Sequence, residues 1–410
     1  MNEREARPVH FVDTPAQLAV LCDQLAGSAW LAIDTEFLRE KTYYPILCLL
    51  QVANERCIAC VDPLALQEAI IPLLDLLYDQ RSVKIFHAAR QDLELFYMLR
   101  GELPQPIFDT QIAAALCHGK EQIGYATLVE MSCGVQLHKT ATRTDWSQRP
   151  LDAEQLAYAV DDVKYLGRIY LQQTHELSVR GLTRWLEQDF ARLVEPSTYR
   201  PEPLTMWRKI KEARRLKGAQ LAALQALAAW REETAIRHNR PRKWIVRDEI
   251  LVDIAKRLPV TAVAGGAAGF VGAAPFDRAT LTKIHGITDE MIRHYGEAWL
   301  ACIDRANRSP PASWPTLEEY HPLTLEQEAL VDAMLALVRL RASDHGVAST
   351  VLASRKEVES LVRGKHDCVL LSGWRREVVG LALQAFMAGE LVCATDEGKL
   401  VFTQVSGFIA

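Results

Sequence analysis

The chain has 410 residues, of which 49% are hydrophobic and 24% are charged. This composition is close to that of ordinary globular proteins and excludes collagen-like, disordered and low-complexity chains, while the length predicts roughly two to four domains. The formal net charge of −5 is unevenly divided, because residues 1–200 hold 19 basic against 27 acidic side chains and residues 201–410 hold 28 against 25. The polar first ten residues contain no apolar segment typical of a secretory signal, so the sequence predicts a cytoplasmic protein.

The first half of the chain predicts a mixed β-sheet flanked by helices. Three short β-prone runs are joined by brief polar links, which indicates successive antiparallel strands, and helices and strands then alternate. The predicted strands cover 31–37, 46–53, 57–61, 83–86 and 107–110, and the predicted helices cover 64–78, 88–100, 111–118, 124–133 and 152–178. This order of elements indicates an α/β domain.

The second half predicts two small all-α domains. Prolines between 196 and 203 mark one linker, and prolines between 310 and 322 mark another. The predicted domains therefore cover 1–197, 204–308 and 320–410. The uncharged window 258–276 is interrupted by glycine and proline, so it predicts a flexible insertion rather than a membrane span.

One stretch of the second half is strongly basic. Residues 201–250 hold 12 basic against 6 acidic side chains, which would suit contact with phosphate groups. A solvated helix face explains the same pattern, so both interpretations stay open at this level. The basic side chains include Arg208, Lys209, Lys211, Arg214, Arg215, Lys217, Arg240, Arg242, Lys243 and Arg247.

Two carboxylates share one face of the first predicted strand. Strand alternation over 31–37 places Leu31, Ile33 and Phe37 on one side and Asp34 with Glu36 on the other. Like charges so close together repel, so the pair requires a cation or a raised pKa unless water screens it. Taken alone, an Asp-x-Glu pair is more often a pair of solvent-exposed surface residues without a function.

Two predicted helices carry further carboxylates at positions that face the sheet. Asp92 lies in register with Phe96 and Leu99, and Asp162 lies one helical turn after Tyr158 on a face that packs between layers. An isolated buried carboxylate is costly, whereas carboxylates grouped around divalent cations offset one another's charge with the metal.

Asp34, Glu36, Asp92 and Asp162 therefore predict one metal site. Oxygen-only ligands favour Mg²⁺ or Mn²⁺ over Zn²⁺, and a set of four carboxylates suits two ions, an arrangement that serves attack on phosphodiesters. Tyr158 would point its hydroxyl into this site, where a tyrosine is better suited to orienting a water than to acting as a base. The alternative for Tyr158 is a core aromatic.

Together these motifs resemble a known family. Asp34-x-Glu36, the run from Phe86 to Glu94 that contains Asp92, and Tyr158-x-x-x-Asp162 resemble the DEDDy branch of the 3′–5′ exonucleases, which has a ribonuclease H-like fold. The closest likeness is to the ribonuclease D family. Runs at 108–111, 124–128 and 145–151 are also similar, so the resemblance covers roughly residues 10–195.

The two helical domains are similar to the helicase-and-RNase-D C-terminal (HRDC) domain, a nucleic-acid-binding module. The first carries the likeness through Trp207, the run 230–235, Asp248 and the dipeptide 258–259, and it departs from the pattern at 261–275. The second carries it through the run 373–375.

The resemblance implies a hydrolytic 3′–5′ exoribonuclease that trims RNA 3′ ends, with tRNA precursors as substrates and 5′-mononucleotides as products. It implies that Asp34, Glu36, Asp92 and Asp162 bind two divalent ions, Mg²⁺ or Mn²⁺, and that these residues and Tyr158 are catalytic. Modest size and in-line accessory domains favour a monomer. Two alternatives stay open, namely a DNA-directed 3′–5′ exonuclease and a catalytically inactive RNA-binding scaffold.

Five further residues are candidates for substrate contact. The segment before the Tyr158 helix contains Lys139, Arg143, Trp146 and Arg149, which suit phosphates or a terminal base, although a loop held by local salt bridges is an equal alternative. Gln51 lies in an apolar strand of the same sheet, where a satisfied core amide is the alternative to a substrate role.

Overall fold

The computed structural model describes residues 7–120, 122–137, 144–258, 276–317, 322–365 and 368–405. These residues form two compact units. The first unit contains the described residues up to Leu38, Leu47–Tyr199 and those from Pro322 onward, and the second contains Arg39–Ile46 and those between Arg200 and residue 321. The residues from 322 onward therefore do not form a separate compact unit, and the predicted domain boundaries stay a hypothesis. No helix in these ranges is long and apolar enough to cross a membrane.

A six-stranded mixed sheet forms the centre of the first unit, as predicted. Its strands are β1 (Val9–Val12), β2 (Trp30–Leu38), β3 (Ile46–Ala53), β4 (Ile58–Val61), β5 (Val83–Phe86) and β6 (Ile107–Asp109). Their order is β1-β4-β3-β2-β5-β6, in which β3 and β4 are antiparallel while β5 runs parallel to both β2 and β6. The edge strand β1, which pairs in parallel with β4, was not predicted.

Among the described residues of the first half, nine α-helices surround this sheet. They are α1 (Pro15–Leu25), α2 (Pro63–Leu66), α3 (Ile71–Leu77), α4 (Arg90–Arg100), α5 (Thr110–His118), α6 (Tyr125–Cys133), α7 (Ala153–Lys164), α8 (Leu166–Val179) and α9 (Thr183–Leu193). The predicted helix 64–78 is divided because Gln67 adopts a positive φ of 49°. The predicted helix 152–178 is divided at Tyr165, and α4 begins at Arg90 because Ala88 has a φ of 60°.

The two faces of the sheet bury different side chains of the same strands. Leu31 and Ile33 of β2 pack into a core with α1, α3 and α4, whereas Trp30 and Ala32 pack beneath α7 and α8. A close approach holds α8 on the second face, because a Cβ atom at Gly167 would lie 2.1 Å from the Trp30 ring. Only glycine fits there, and the contact fixes α8 directly after α7.

The second unit is helical, in agreement with the prediction. After two 3₁₀ turns at Pro203–Lys209 and Lys211–Arg215, it contains α10 (Ala219–His238), α11 (Arg242–Ile245), α12 (Asp248–Lys256), α13 (Arg278–Leu281) and α14 (Asp289–Arg308). Its core includes Trp207 and Trp299, and Tyr43 packs against this core. The predicted insertion at 261–275 lies outside the described residues.

The described C-terminal residues complete the first unit. They form α15 (Leu325–His345), α16 (Ser349–Leu352), α17 (Arg355–Val362), α18 (Gly373–Arg375) and α19 (Leu381–Met387), followed by a hairpin of β7 (Leu391–Asp396) and β8 (Lys399–Gln404). The rings of Trp185 and Trp374 stack with centroids 4.2 Å apart, and Arg375 pairs with Asp189 at 3.0 Å. The hairpin corrects the prediction that this part is all-α. Its signal is the Glu397-Gly398 turn, in which both residues have positive φ.

The contact between Gly167 and Trp30 predicts a large effect of a small substitution. Alanine normally favours a helix over glycine by about 1 kcal/mol, but in Gly167→Ala the clash with Trp30 should lower the free energy of unfolding by about 1–3 kcal/mol. Urea unfolding measures this change. Gly124→Ala, whose added methyl meets nothing within 4 Å, is the control and should change stability by less than about 1 kcal/mol; an equal loss in both variants would contradict the prediction.

Candidate active site and metal centre

Three of the predicted carboxylates converge between a strand and a helix. Asp34 and Glu36 lie on the face of β2 opposite Leu31 and Ile33, and α7, which carries Asp162, packs against β2 and β4 on that face. One carboxylate oxygen from each of Asp34, Glu36 and Asp162 lies within 4.8 Å of the other two. The structure therefore places these three side chains together as the sequence predicted.

Tyr158 lies one turn before Asp162 and reaches the same site. Its hydroxyl group lies close to the Asp162 carboxylate and opposes the rise in the pKa of that group, and its ring lies 6.1 Å from the ring of Trp146. Burial, with the nearby charges of Asp162, Glu36 and Asp34, raises the pKa of Tyr158 above its ordinary value. The phenol is therefore protonated at neutral pH and serves as a hydrogen-bond donor.

Asp92 lies beside the three-carboxylate group at the first turn of α4. It is 7% exposed, and after burial its charge makes the largest contribution to the raised pKa of Asp34. Its Oδ1 atom accepts a hydrogen bond from the hydroxyl group of Thr35, a residue that the sequence analysis did not single out. Asp92 therefore contributes charge to the site while Thr35 fixes its position.

The site is electrostatically strained because its charges all have one sign. Burial and repulsion from Asp92, Asp162 and Glu36 raise the pKa of Asp34 well above its ordinary value. Burial, followed by repulsion from Asp162 and Asp92, raises the pKa of Glu36 to about 8. Burial raises the pKa of Asp92 and of Asp162 to about 7 each. Such groups ionise at neutral pH only where a cation offsets their repulsion.

The residues present fit a divalent metal ion. Their donors are carboxylate oxygens, which Mg²⁺ and Mn²⁺ prefer, and the oxygens of Asp34, Glu36 and Asp162 are close enough to share an ion. A divalent ion would also remove the repulsion that raises these pKa values. Asp34, Glu36 and Asp162 would hold the ion, with Asp92 close enough to complete the charge balance.

Two of the predicted substrate contacts, Trp146 and Arg149, are held by other residues of the first unit. Trp146 is 4% exposed and packs in the core with Leu49 and Ala159. The Arg149 guanidinium forms two hydrogen bonds with the Asp62 carboxylate and one with the Cys48 carbonyl oxygen at 2.8 Å. The salt bridge to Asp62, a residue 87 positions away in the chain, holds the segment before α7, and a substrate role for either residue stays a prediction.

Gln51, another predicted substrate contact, is buried in the sheet. Gln51 is 0% exposed in β3, and neither atom of its amide group has a hydrogen-bond partner among the described residues. It is therefore neither a surface contact nor a satisfied core amide. Lys139 and Arg143 lie outside the described residues.

Two residues that position the site were missed by the sequence analysis. Asp109, at the end of β6, accepts hydrogen bonds from the main-chain nitrogens of Ala88 and Ala89 at 3.1 and 2.9 Å, so it holds the start of α4. Tyr125 donates to the carbonyl oxygen of Asp161 at 2.9 Å, next to Asp162 on α7. The position of Asp109 directly before α5 is a sequence signal for the N-cap of α5, but no sequence signal predicts its bonds to Ala88 and Ala89 or the Tyr125 contact.

The fold and the site define a class of protein. A family model described as 3′-5′ exonuclease matches residues 9–178, and a model described as HRDC domain matches residues 220–264. The crystal structure of Escherichia coli RNase D, described as an exoribonuclease involved in structured RNA processing, matches with a TM-score of 0.77 and 31% identity over 95% of this chain and 99% of that one. This protein is therefore a 3′–5′ exonuclease with an accessory HRDC domain.

The relatives of the whole chain define the family. Ribonuclease D of Sphingobium indicum is 39% identical over 393 residues, which cover 94% of this chain and 96% of the relative. Ribonuclease D of Bartonella henselae is 32% identical over 397 residues, which cover 96% and 94%. The chain belongs to the ribonuclease D family of metal-dependent 3′–5′ exoribonucleases.

The raised pKa values predict that the metal-free protein loses stability as pH rises. Each carboxyl group with a raised pKa binds its proton more tightly in the folded state, so its contribution is present below about pH 4 and is lost as pH rises through 7 to 8. We expect the free energy of unfolding, measured with a chelator, to contain a component that falls over this range, and Mg²⁺ should oppose the fall.

Variants identify the source of this pH dependence. Glu36→Gln removes one of the titrating groups and should flatten the slope, whereas Glu154→Gln, an exposed carboxylate on α7, should leave the slope as it is in the parent protein. Equal slopes for the parent and the Glu36 variant would contradict the assignment.

Proposed function

We propose that this protein hydrolyses RNA from the 3′ end by a two-metal mechanism and releases 5′-mononucleotides. The observation that carries the proposal is the convergence of Asp34, Glu36 and Asp162, with the Tyr158 hydroxyl close to Asp162. Membership of the ribonuclease D family supports RNA as the substrate.

The proposed metal ligands are Asp34, Glu36, Asp92 and Asp162, and the ions are Mg²⁺ or Mn²⁺. When bound, two such ions would lower the pKa of the attacking water and would stabilise the negative charge on the leaving 3′-oxygen. The charges of all three other carboxylates raise the pKa of Asp34, and Asp34 is the proposed shared ligand. Thr35 keeps Asp92 in place by its hydrogen bond.

Tyr158 is proposed to orient the attacking water rather than to remove its proton. Its pKa lies above the ordinary value, so it retains its proton at neutral pH and cannot act as the base. The hydroxyl group lies close to Asp162, so a water that it orients would also lie near that carboxylate.

The proposed substrates are structured RNAs, with tRNA precursors as the first candidates. The description of the Escherichia coli relative, which names structured RNA processing, supports this choice. A cytoplasmic location and a monomeric state remain predictions from the sequence. A DNA-directed exonuclease would use the same carboxylates, so the test must compare the two nucleic acids.

Substitutions at the carboxylates test the site assignment. Asp34→Asn or Asp162→Asn should lower RNA hydrolysis by more than about a hundredfold because each removes a charged ligand, whereas Tyr158→Phe should cost about ten- to a hundredfold. Release of labelled nucleotide measures these rates. Asp161→Asn, which neutralises a half-exposed neighbour paired with Lys164, should stay within about threefold of the parent. Near-parental activity of the Asp34 or Asp162 variant would rule out the site.

The substrate assignment is tested with 5′-labelled single strands and a labelled tRNA precursor. We expect a ladder that shortens from the 3′ end of RNA, requires Mg²⁺ or Mn²⁺, disappears with a chelator and is weak on DNA of matched sequence. Asp34→Asn is the control for contaminating nucleases. A preference for DNA would replace the proposal with the DNA exonuclease, and tight RNA binding without cleavage would replace it with the scaffold.

A further inference from the structure

A glutamine is buried in the sheet of the first unit without a hydrogen-bond partner. Gln51 of β3 is 0% exposed, and among the described residues neither the oxygen nor the nitrogen of its side-chain amide forms a hydrogen bond. By contrast, the amide of Asn54 on the same edge of the core donates to the Gln24 carbonyl oxygen at 3.0 Å and to the Ser28 hydroxyl group at 2.9 Å. Buried polar groups in native proteins are satisfied by protein atoms or by ordered water. The Gln51 amide therefore requires a partner other than the described side chains.

Gln51 points to the face of the sheet that carries the catalytic carboxylates. Its neighbours Leu50 and Val52 pack into the core with α1, α3 and α4, so strand alternation directs Gln51 to the opposite face. Asp34 and Glu36 of β2 lie on that opposite face, and β2 is the strand next to β3 in the sheet. The amide and the two carboxylates thus share one face of neighbouring strands.

Helix α7 covers Gln51 on this face. The helix contacts both β2 and β4, which are the strands on either side of β3, so it passes over β3. On β4, Cys60 is the residue directly opposite Gln51, and it packs with Ala159 of α7. Burial, followed by the charge of Asp162, raises the pKa of the Cys60 thiol to about 12, so this part of the sheet lies close to Asp162. Gln51 therefore lies beneath α7 and beside the carboxylate site.

We propose that Gln51 is a positioning residue of the metal site, whose amide holds one buried water that in turn hydrogen-bonds to a metal-binding carboxylate. The inference rests on the proposed function, because it takes Asp34, Glu36 and Asp162 to bind metal ions. The amide nitrogen donates to the water, and the water donates to a carboxylate oxygen. Water can both donate and accept, so it is the ligand that satisfies an amide next to an acceptor-only carboxylate.

Such a bond would keep the carboxylate in the orientation in which it binds an ion. Partners that hold a metal ligand in this way typically raise metal affinity about ten- to a hundredfold. Because the amide is uncharged, it can orient a carboxylate without competing with the ion for its negative charge. The complete burial of Gln51 favours this role over contact with RNA, since a substrate would reach the amide only if the sheet or α7 moved.

Binding of Mn²⁺ to the full chain, measured without RNA from the electron paramagnetic resonance signal of the free ion, tests this role. Gln51→Met, which has a similar volume and no amide, should weaken Mn²⁺ binding by about ten- to a hundredfold. Gln51→Asn, which keeps a shorter amide, should bind Mn²⁺ more tightly than Gln51→Met. A glutamine that only fills the core would give parental Mn²⁺ affinity in both variants.

The matched control is a second buried glutamine of the same unit. Gln173 on α8 is 2% exposed, and its amide nitrogen donates to the Thr110 carbonyl oxygen at 3.0 Å. Gln173→Met should lower the urea midpoint, measured with a chelator, by more than Gln51→Met does, because it leaves a buried carbonyl group without its donor. It should nevertheless bind Mn²⁺ as the parent does. The two variants would then separate loss of stability from loss of metal affinity.

The outcomes distinguish this inference from the proposed function. Parental Mn²⁺ affinity in Gln51→Met, or equal losses in Gln51→Met and Gln51→Asn, would overturn the role of Gln51 even if the parent hydrolyses RNA. Weaker Mn²⁺ binding in Gln51→Met, with no RNA hydrolysis by the parent, would overturn the proposed function and leave the role of Gln51 intact. Parental Mn²⁺ affinity in Asp34→Asn would overturn the metal site and this inference with it.

Discussion

Repulsion between carboxylates is the constraint on which the rest of the first unit depends. Asp34, Glu36 and Asp162 bring their oxygens within 4.8 Å of one another, and Asp92 adds a fourth negative charge beside them. Without a cation, such groups move apart or bind protons. Burial and nearby negative charges raise the pKa values of all four carboxyl groups. Their proximity is therefore imposed by the surrounding fold and is relieved by cations.

The fold imposes this proximity through rigid contacts on each element that carries a carboxylate. On β2, Leu31 and Ile33 are almost completely buried on the opposite face, so the strand cannot rotate its charges away. Helix α7 begins with a capping box at Asp152, and α8, which follows it, is held by the Gly167–Trp30 contact. Each element thus resists the repulsion with apolar packing or hydrogen bonds outside the site.

Much of this arrangement could be predicted from local patterns, and the remainder depends on long-range contacts. Alternation on β2 and helical spacing on α7 identify Asp34, Glu36 and Asp162, because both periods are properties of the local backbone. The Thr35–Asp92 hydrogen bond and the Arg149–Asp62 pair join residues 57 and 87 positions apart, so no local period encodes them. The burial of Trp146 and the pairing of Arg149 with Asp62 therefore could not be predicted from local patterns.

The uneven distribution of charge along the chain, acidic in the first half and basic in the second, is consistent with the proposed chemistry. A polyanionic substrate is repelled by a site of four carboxylates, and cations bound there would first have to offset the charge of the site itself. Affinity for phosphates is better supplied elsewhere, and residues 201–250 hold 12 basic against 6 acidic side chains. Binding and hydrolysis would then use separate residues. Such a separation suits an exonuclease. After each cleavage a different phosphodiester bond is the next to be hydrolysed, so the binding of the substrate must not depend on its sequence.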